Sequence, residues 1–390
     1  MMNLFIRSFV TLVNRFLWSS RNVTRSAPHI RDANNVQRLW NTFVFASIPA
    51  WLVGMWSLGH QTNMAIADFQ LESVPGWRAW LLSHSGFGFD YNNVLVCMAH
   101  GLLYFVPVFL TALIVGAFWE SLFATVRRQR VDEGLLAISW LFSLLLPATV
   151  PIYQVALGMT FGIVVGKLIY GGSGRYLVSP ALLGVAFLIF SYPDLMYAPG
   201  AWVPVEGYDQ PTVLELVTDE GGIGVIASVD YSVWQILLGD QPGAFGLASP
   251  LAALFGGWFL VWTGMASWRI MLGAFIGMMG MVLVCNAIAP DHQLFSMPWY
   301  WHMVLGGFIF GVVFIATDPV TCPMTDQGRW GFGLFVGGLT VLIRVGNPAH
   351  YEGVMFAILL ASMFSPLIDY VVVERNIRRR RLRLEGEFGE

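Results

Sequence analysis

Charge is what this sequence has least of. Only 12% of its 390 residues are Asp, Glu, Lys or Arg, against about a quarter in a soluble domain. With 56% hydrophobic residues and a mean hydropathy of +0.64, a water-soluble globule is excluded. A basic surplus is missing too: 21 Lys and Arg against 24 Asp and Glu leave a net charge of -3, which excludes nucleic acid as a partner. Cysteine is scarce. Cys97, Cys285 and Cys322 lie far apart with no C-x-x-C pair, so no iron–sulfur or zinc site is expected, and the three read as buried, inert thiols. No Walker loop is present, and Gly171-Gly-Ser-Gly174 neither follows a strand pattern nor matches the dinucleotide fingerprint. No catalytic side chain and no metal-ligand set is read from the chain. A cleavable leader is not expected either, because Met1 to Ser19 carries Arg7 and Arg15 in an amphipathic pattern without a small-residue cleavage site. That segment reads as lying on a membrane surface.

What is abundant is long apolar sequence. Runs at 42–58, 93–118, 134–149, 152–168, 180–193, 246–265, 270–288, 300–316, 331–345 and 354–372 predict helices in a hydrocarbon layer that takes roughly 20 apolar residues to cross. The expected fold is an all-α polytopic membrane protein of about ten transmembrane helices, arranged as two pseudo-symmetric inverted halves of five. Two runs, 134–149 and 180–193, are short enough to be half-helices buried in protein. Arg7 to Arg38, Arg127-Arg128-Gln129-Arg130, Lys167 with Arg175, Arg269, Arg329 and Arg375 to Arg383 fall on one side of this count. The positive-inside rule makes that side, and both termini, cytoplasmic. The resulting organisation is a cytoplasmic amphipathic segment (1–40), a first membrane half (41–193), an outer acidic loop (194–245), a second membrane half (246–373) and a basic cytoplasmic tail (374–390).

The loop holds no Lys or Arg but does hold Asp194, Glu206, Asp209, Glu215, Asp219, Glu220, Asp230 and Asp240. Its Trp202, Tyr208, Val213, Leu214, Leu216 and Trp234 predict an ordered structure docked on the membrane domain or a partner. Tyr153 to Gly162 is similar to Trp301 to Gly311 with one insertion. Both runs point the same way in the ten-span count, so the match is read as shared glycine packing and not as the inverted repeat. Trp77, Trp80, Trp202, Trp258, Trp262, Trp268, Trp299 and Trp301 read as membrane-interface anchors.

Ionisable residues inside a membrane mark pathways or pairs. Glu120 ends a long apolar run and Asp369 lies within the last one, each without a basic residue one helical turn away. Both are therefore read as carboxylates free to attract a passing cation, beside the plainer reading of interfacial or ion-paired residues. His100, alone on its helix, reads as a hydrogen-bonded packing residue and not a metal ligand.

Several segments together are distinctive: Gly171-Gly-Ser-Gly-Arg-Tyr-Leu-Val-Ser-Pro-Ala-Leu182, Ala266-Ser-Trp-Arg-Ile270, Met297-Pro-Trp-Tyr-Trp-His302, Ala316-Thr-Asp-Pro-Val320, Ile343-Arg-Val-Gly-Asn-Pro-Ala349 and Val371-Val-Val-Glu-Arg-Asn-Ile377. From His29 to the basic tail the chain resembles the NqrB/RnfD family. Within it the likeness is to NqrB, a membrane component of the sodium-translocating NADH:quinone oxidoreductase, and less to RnfD, the shorter counterpart in the Rnf complex. The resemblance implies a translocase subunit, not catalytic alone, in a six-subunit complex of the bacterial inner membrane that passes electrons from NADH to quinone and exports Na+. It further implies FMN, esterified through phosphate to a threonine on the outer side, and riboflavin. Glu206-Gly-Tyr-Asp-Gln-Pro-Thr212 stands where the family has Asp-Gly-Tyr/Phe-Ser-Gly-Ala-Thr, which makes Thr212 the candidate FMN attachment residue in an altered context. Gly116-Ala-Phe-Trp-Glu120 stands where the family has Gly-Gly-Phe-Trp-Glu, which places Gly116, Ala117, Phe118 and Trp119 in the quinone region. Glu120 and Asp369 match acidic positions that the family associates with sodium uptake. Alternatives are a transporter or channel of the same fold without redox chemistry, or a divergent complex lacking the covalent flavin.

Overall fold

The protein is described from a computed structural model covering residues 27, 36–71, 73–74, 76–129, 131–208, 210–219, 232–289, 294–347 and 352–387. The amphipathic segment expected at the N-terminus lies outside the described residues, apart from its last few. The described residues form helices and no strand. In chain order the helices are α1 (Val36–Asp68), α2 (Trp77–His84), α3 (Val94–Arg127), α4 (Leu135–Leu145), α5 (Ile152–Ile163), α6 (Pro180–Ser191), α7 (Pro193–Tyr197), α8 (Val213–Asp219), α9 (Val233–Leu238), α10 (Pro250–Trp262), α11 (Trp268–Ile288), α12 (Trp299–Val304), α13 (Phe308–Phe310), α14 (Asp326–Gly346) and α15 (Val354–Glu387). Each of the ten apolar runs contains helix. Among the described residues α1, α3, α11 and the Val354–Arg383 part of α15 are long and apolar enough to cross a membrane. The two runs expected as half-helices are short, at 11 residues for α4 and 12 for α6.

The chain divides into two compact units, residues 1–215 with 231–265, and 216–230 with 266–390. In the first unit, α3 packs on α1, α4 and α5, and α10 packs on α1. Its centre is a group of rings from three helices and a loop. Trp51, Phe105, Phe109, Trp140 and Phe245 meet with ring centroids 5.1 to 5.8 Å apart, a spacing at which aromatic pairs add to plain area burial. Trp140 carries a polar Nε1–H into this core and satisfies it on Ser47 Oγ at 2.8 Å. Because α4 is too short to finish a span, its last carbonyls need other donors, and Gly246 N donates to Leu144 O at 2.8 Å.

The segment 194–245 packs on the helices around it where it is described. Val203 and Val205 bury against Ala65 and Ile66 at the end of α1, with Val74, Phe89 and Tyr208 packed around them. Thr149 Oγ1 donates to Ala201 O at 2.8 Å and ties the loop to the turn after α4. Trp202 is buried, whereas Trp234 is 72% exposed and contributes nothing to that docking.

In the second unit α11 lies along α14. Gly273 and Gly277 on one helix, and Gly333 and Gly337 on the other, each lie so close to the partner's backbone that a side chain there would collide with it. This is the small-xxx-small geometry by which membrane helices approach closely. The eighth apolar run is broken. α12 stops at Val304, Gly306 and Gly307 take φ of 63° and 64°, and helix resumes at Phe308. Arg344 repairs the break by donating to the carbonyls of His302 (2.5 Å), Leu305 (2.7 Å), Gly306 (3.3 Å) and Glu352 (3.2 Å). The likeness between Tyr153–Gly162 and Trp301–Gly311 has a backbone counterpart, since each stretch runs into a five-residue π turn, Val164–Leu168 and Gly311–Ile315.

Tryptophan divides in two. Trp77, Trp80, Trp258, Trp262, Trp268 and Trp299 are exposed, which suits interface anchors, but Trp202 and Trp301 are buried and belong to the packing. All three cysteines are free and buried. His100 is buried as a packing residue, its Nδ1 2.7 Å from Asn63 Oδ1.

Candidate functional site

The C-terminal end of α3 presents Glu120, Phe123, Ala124 and Arg127 on one face, spaced by three and four residues, the period that puts helix positions side by side. These four residues line a pocket with Gln129, Asp132, Leu168, Gly171 and Gly172. Glu120 is buried, with its side chain 1% exposed, and Oε1 lies 2.5 Å from Nζ of the fully buried Lys167. Lys167 sits in the π turn that follows α5 and also donates to Glu133 O at 3.3 Å. Glu120 is therefore not a free carboxylate. The sequence shows no base one turn away, but the fold brings one from 47 residues further along the chain. A buried ion needs such a partner, because leaving the charge uncompensated in low dielectric is strongly unfavourable. Oε2 of the same carboxylate is buried and has no hydrogen-bond partner among the described residues.

The glycine-rich segment finishes this wall. Gly172 adopts φ of 104°, in the left-handed region where a side chain is strained, and a Cβ there would run into the Asp132 carboxylate. The turn lets Ser173 N donate to Asp132 Oδ2 at 2.8 Å and Ser173 Oγ donate to Glu133 O at 2.5 Å. Arg127 donates to Leu168 O at 2.7 Å and lies over the Phe123 ring, 5.1 Å from its centroid. Gly171-Gly-Ser-Gly174 thus fastens the end of α5 to the segment before α4. The sequence marks the glycines but not their partners.

The neighbouring Gly116 to Trp119 is less open. A Cβ on Gly116 would meet the tips of the Leu135 and Met159 side chains, which would have to shift, and Ala117 is buried. Phe118 is 47% exposed on the other face of α3, and Trp119 Nε1 donates to Thr160 Oγ1 at 3.0 Å.

Asp369, in the second unit, also has partners. Its carboxylate accepts from Met324 N (2.7 Å), Thr325 N (3.0 Å) and Thr325 Oγ1 (2.5 Å). Thr325 caps α14 through Oγ1, which accepts from Gly328 N at 3.1 Å. A carboxylate beside a helix N-terminus is favourably placed against the dipole, so Asp369 holds the entry to α14 in position.

Thr212 precedes α8. Its Oγ1 accepts from Glu215 N and its own N–H donates to Glu215 Oε2, both at 3.2 Å. This reciprocal arrangement is a capping box, and its Thr-x-x-Glu pattern is visible in the sequence. Thr212 as a residue is only half-buried. Esterification keeps Oγ1 in place but weakens it as an acceptor, so a phosphate-linked group fits here at the expense of the cap.

The family model described as "NQR2, RnfD, RnfE family" matches residues 23–378. The chain is 45% identical over 371 residues to a subunit of the Na(+)-translocating NADH-quinone reductase of Pseudomonas paraeruginosa, covering 94% of this chain and 92% of that one. It is 43% identical to the protein of the same name from Azotobacter vinelandii, with the same coverage. The counterpart in Chromohalobacter salexigens is 44% identical over 369 residues, covering 94% of this chain and 89% of that protein. With the family model matched over most of its length and these relatives covered nearly end to end, the chain belongs to the NQR2, RnfD, RnfE family.

Proposed function

We propose that this chain is the multi-pass membrane subunit of a sodium-translocating NADH–quinone reductase, in a bacterial inner membrane with both termini cytoplasmic. It is not catalytic alone and works with the other subunits of its complex. The observation that carries the reading is the buried Glu120 at the wall of a polar pocket in an otherwise apolar helix, in a chain this similar to proteins of that name. In this reading Thr212 anchors FMN, riboflavin is held by the same subunit, quinone lies against Gly116 to Trp119, and Glu120 and Asp369 serve the cation path. Bound flavin supplies one-electron transfer to quinone, while the protein supplies position and field.

The chain's own residues then do three things. The small Gly116 and Ala117 let α3 sit tightly against α4 and α5. Trp119 is held to Thr160, which fixes its ring beside Phe118 and Phe123. Glu120 holds a neutral ion pair with Lys167 at low dielectric, where negative charge arriving nearby favours cation uptake.

Two measurements test the proposal. In the complex purified after co-expression with a flavin transferase, peptide mapping of 200–230 is expected to place an FMN mass on Thr212, absent in Thr212→Ala. Glu120→Gln and Asp369→Asn are expected to reduce sodium-stimulated quinone reduction; unchanged stimulation in both would remove them from the ion path. An unmodified Thr212 with flavin still present in the complex would favour a second reading, a complex without the covalent flavin. The capping box that already occupies the Thr212 hydroxyl, and Pro211 before it, speak for that reading.

A further inference from the structure

Glu120 divides its two oxygens unequally. Oε1 is taken by Lys167, whereas Oε2 is buried without a partner among the described residues, in a side chain that lines the pocket with Gln129 and Asp132. Lys167 in turn reaches past Glu120 to Glu133 O, so its ammonium has a second acceptor on which to lean. A lone buried carboxylate would hold a small cation as a neutral pair and release it poorly, since the pair's attraction is strong where the dielectric is low. With Lys167 in place the pair is already neutral, and a further cation arriving at Oε2 leaves an uncompensated positive charge.

We propose that Lys167 is a resident cation at Glu120, which keeps the carboxylate's second oxygen a weak site for a small monovalent cation until negative charge accumulates nearby. It is a positioning and specificity residue, acting on the cation through Glu120. The inference rests on the reading of Glu120 as part of a cation path. No bond is made or broken. The cation enters at Oε2, the ammonium shifts its weight from Oε1 toward Glu133 O, and the extra positive charge is balanced by the negative charge that triggered entry. Removing the lysine charge therefore tightens cation binding in every state, so that the site fills before the trigger arrives.

The test is equilibrium binding of radiosodium to the purified full complex, oxidised and dithionite-reduced, with sodium-stimulated quinone reduction measured on the same preparations. Wild type is expected to bind sodium more tightly when reduced. Lys167→Met should bind it about tenfold more tightly or better in the oxidised state, so that the site is already filled at sodium concentrations that fill wild type only on reduction. Lys167→Arg should restore the weak oxidised-state affinity, and the neutral double variant E120Q/K167M should lose the site in both states. Wild-type affinity in K167M, or tightening that persists in E120Q/K167M, overturns the inference. Should K167M fail to assemble, the sodium-induced infrared difference spectrum of wild type decides: a carboxylate band shift, absent in E120Q, that appears on reduction but not in the oxidised complex supports it, and an equal shift in both states, or none, overturns it. Wild-type quinone reduction without any sodium stimulation would instead sink the functional reading on which it stands.

Discussion

Glu120 and Asp369 are the same functional group near the end of a long apolar run, yet they are satisfied in opposite ways. Glu120 is buried and neutralised by a single lysine, with one oxygen left over. Asp369 is half-buried and bound by two backbone N–H groups and a hydroxyl, all from the turn that starts α14. The first arrangement depends on one charged side chain. The second is distributed over a rigid helix start. A change that strands a charge should therefore be felt more at Glu120, and a change that unfastens a turn more at Asp369.

The largest effect is expected where the comparison is sharpest. Lys167→Met should cost about 3–5 kcal/mol by stranding a buried carboxylate, read as a lower thermal midpoint of the detergent-solubilised complex at low sodium. Added sodium should raise that midpoint, because a ligand of the folded state stabilises it by mass action. Asp369→Ala should cost about 2 kcal/mol, the scale of hydrogen bonds to a charged acceptor, and should speed amide exchange at Met324 and Thr325. Gly172→Ala should cost about 1–2 kcal/mol through its left-handed backbone and loosen the tie between Ser173 and Asp132, seen as faster proteolysis in 171–175. Thr212→Ala should cost only about 1 kcal/mol, the loss of one cap, with the midpoint hardly moved. If Asp369→Ala proved as damaging as Lys167→Met, the contrast between a stranded charge and an unfastened turn would fail.

Much of the helical content was legible from residues in sequence. Each of the ten apolar runs contains helix, and α4 and α6 are as short as their runs suggested. The part of the 194–245 segment around Trp202 docks, as its apolar content implied. Partnership was legible only when it was local. The cap of Thr212 on Glu215 spans three residues and follows a known pattern. The Glu120–Lys167 pair is separated by 47 residues and the Asp369–Thr325 bond by 44. No periodicity reports contacts that the packing of separate helices creates. The breaks were hidden for a related reason: a run such as 300–316 is apolar throughout, and only Gly306-Gly307 hints that the helix stops there.

Arg344 bears on how the chain enters the membrane during synthesis. Its helix, α14, is 21 residues long but is not among the four that qualify as spans by length and apolarity. A guanidinium in such a segment is a poor passenger for an insertion machinery that tests segments one at a time. Three of its four acceptors, the carbonyls of His302, Leu305 and Gly306, belong to a segment made earlier, and the fourth, that of Glu352, follows eight residues later. The broken helix is thus waiting when α14 emerges, so the two should partition into the bilayer as a pair, with the earlier segment acting as an intramolecular chaperone for the later one.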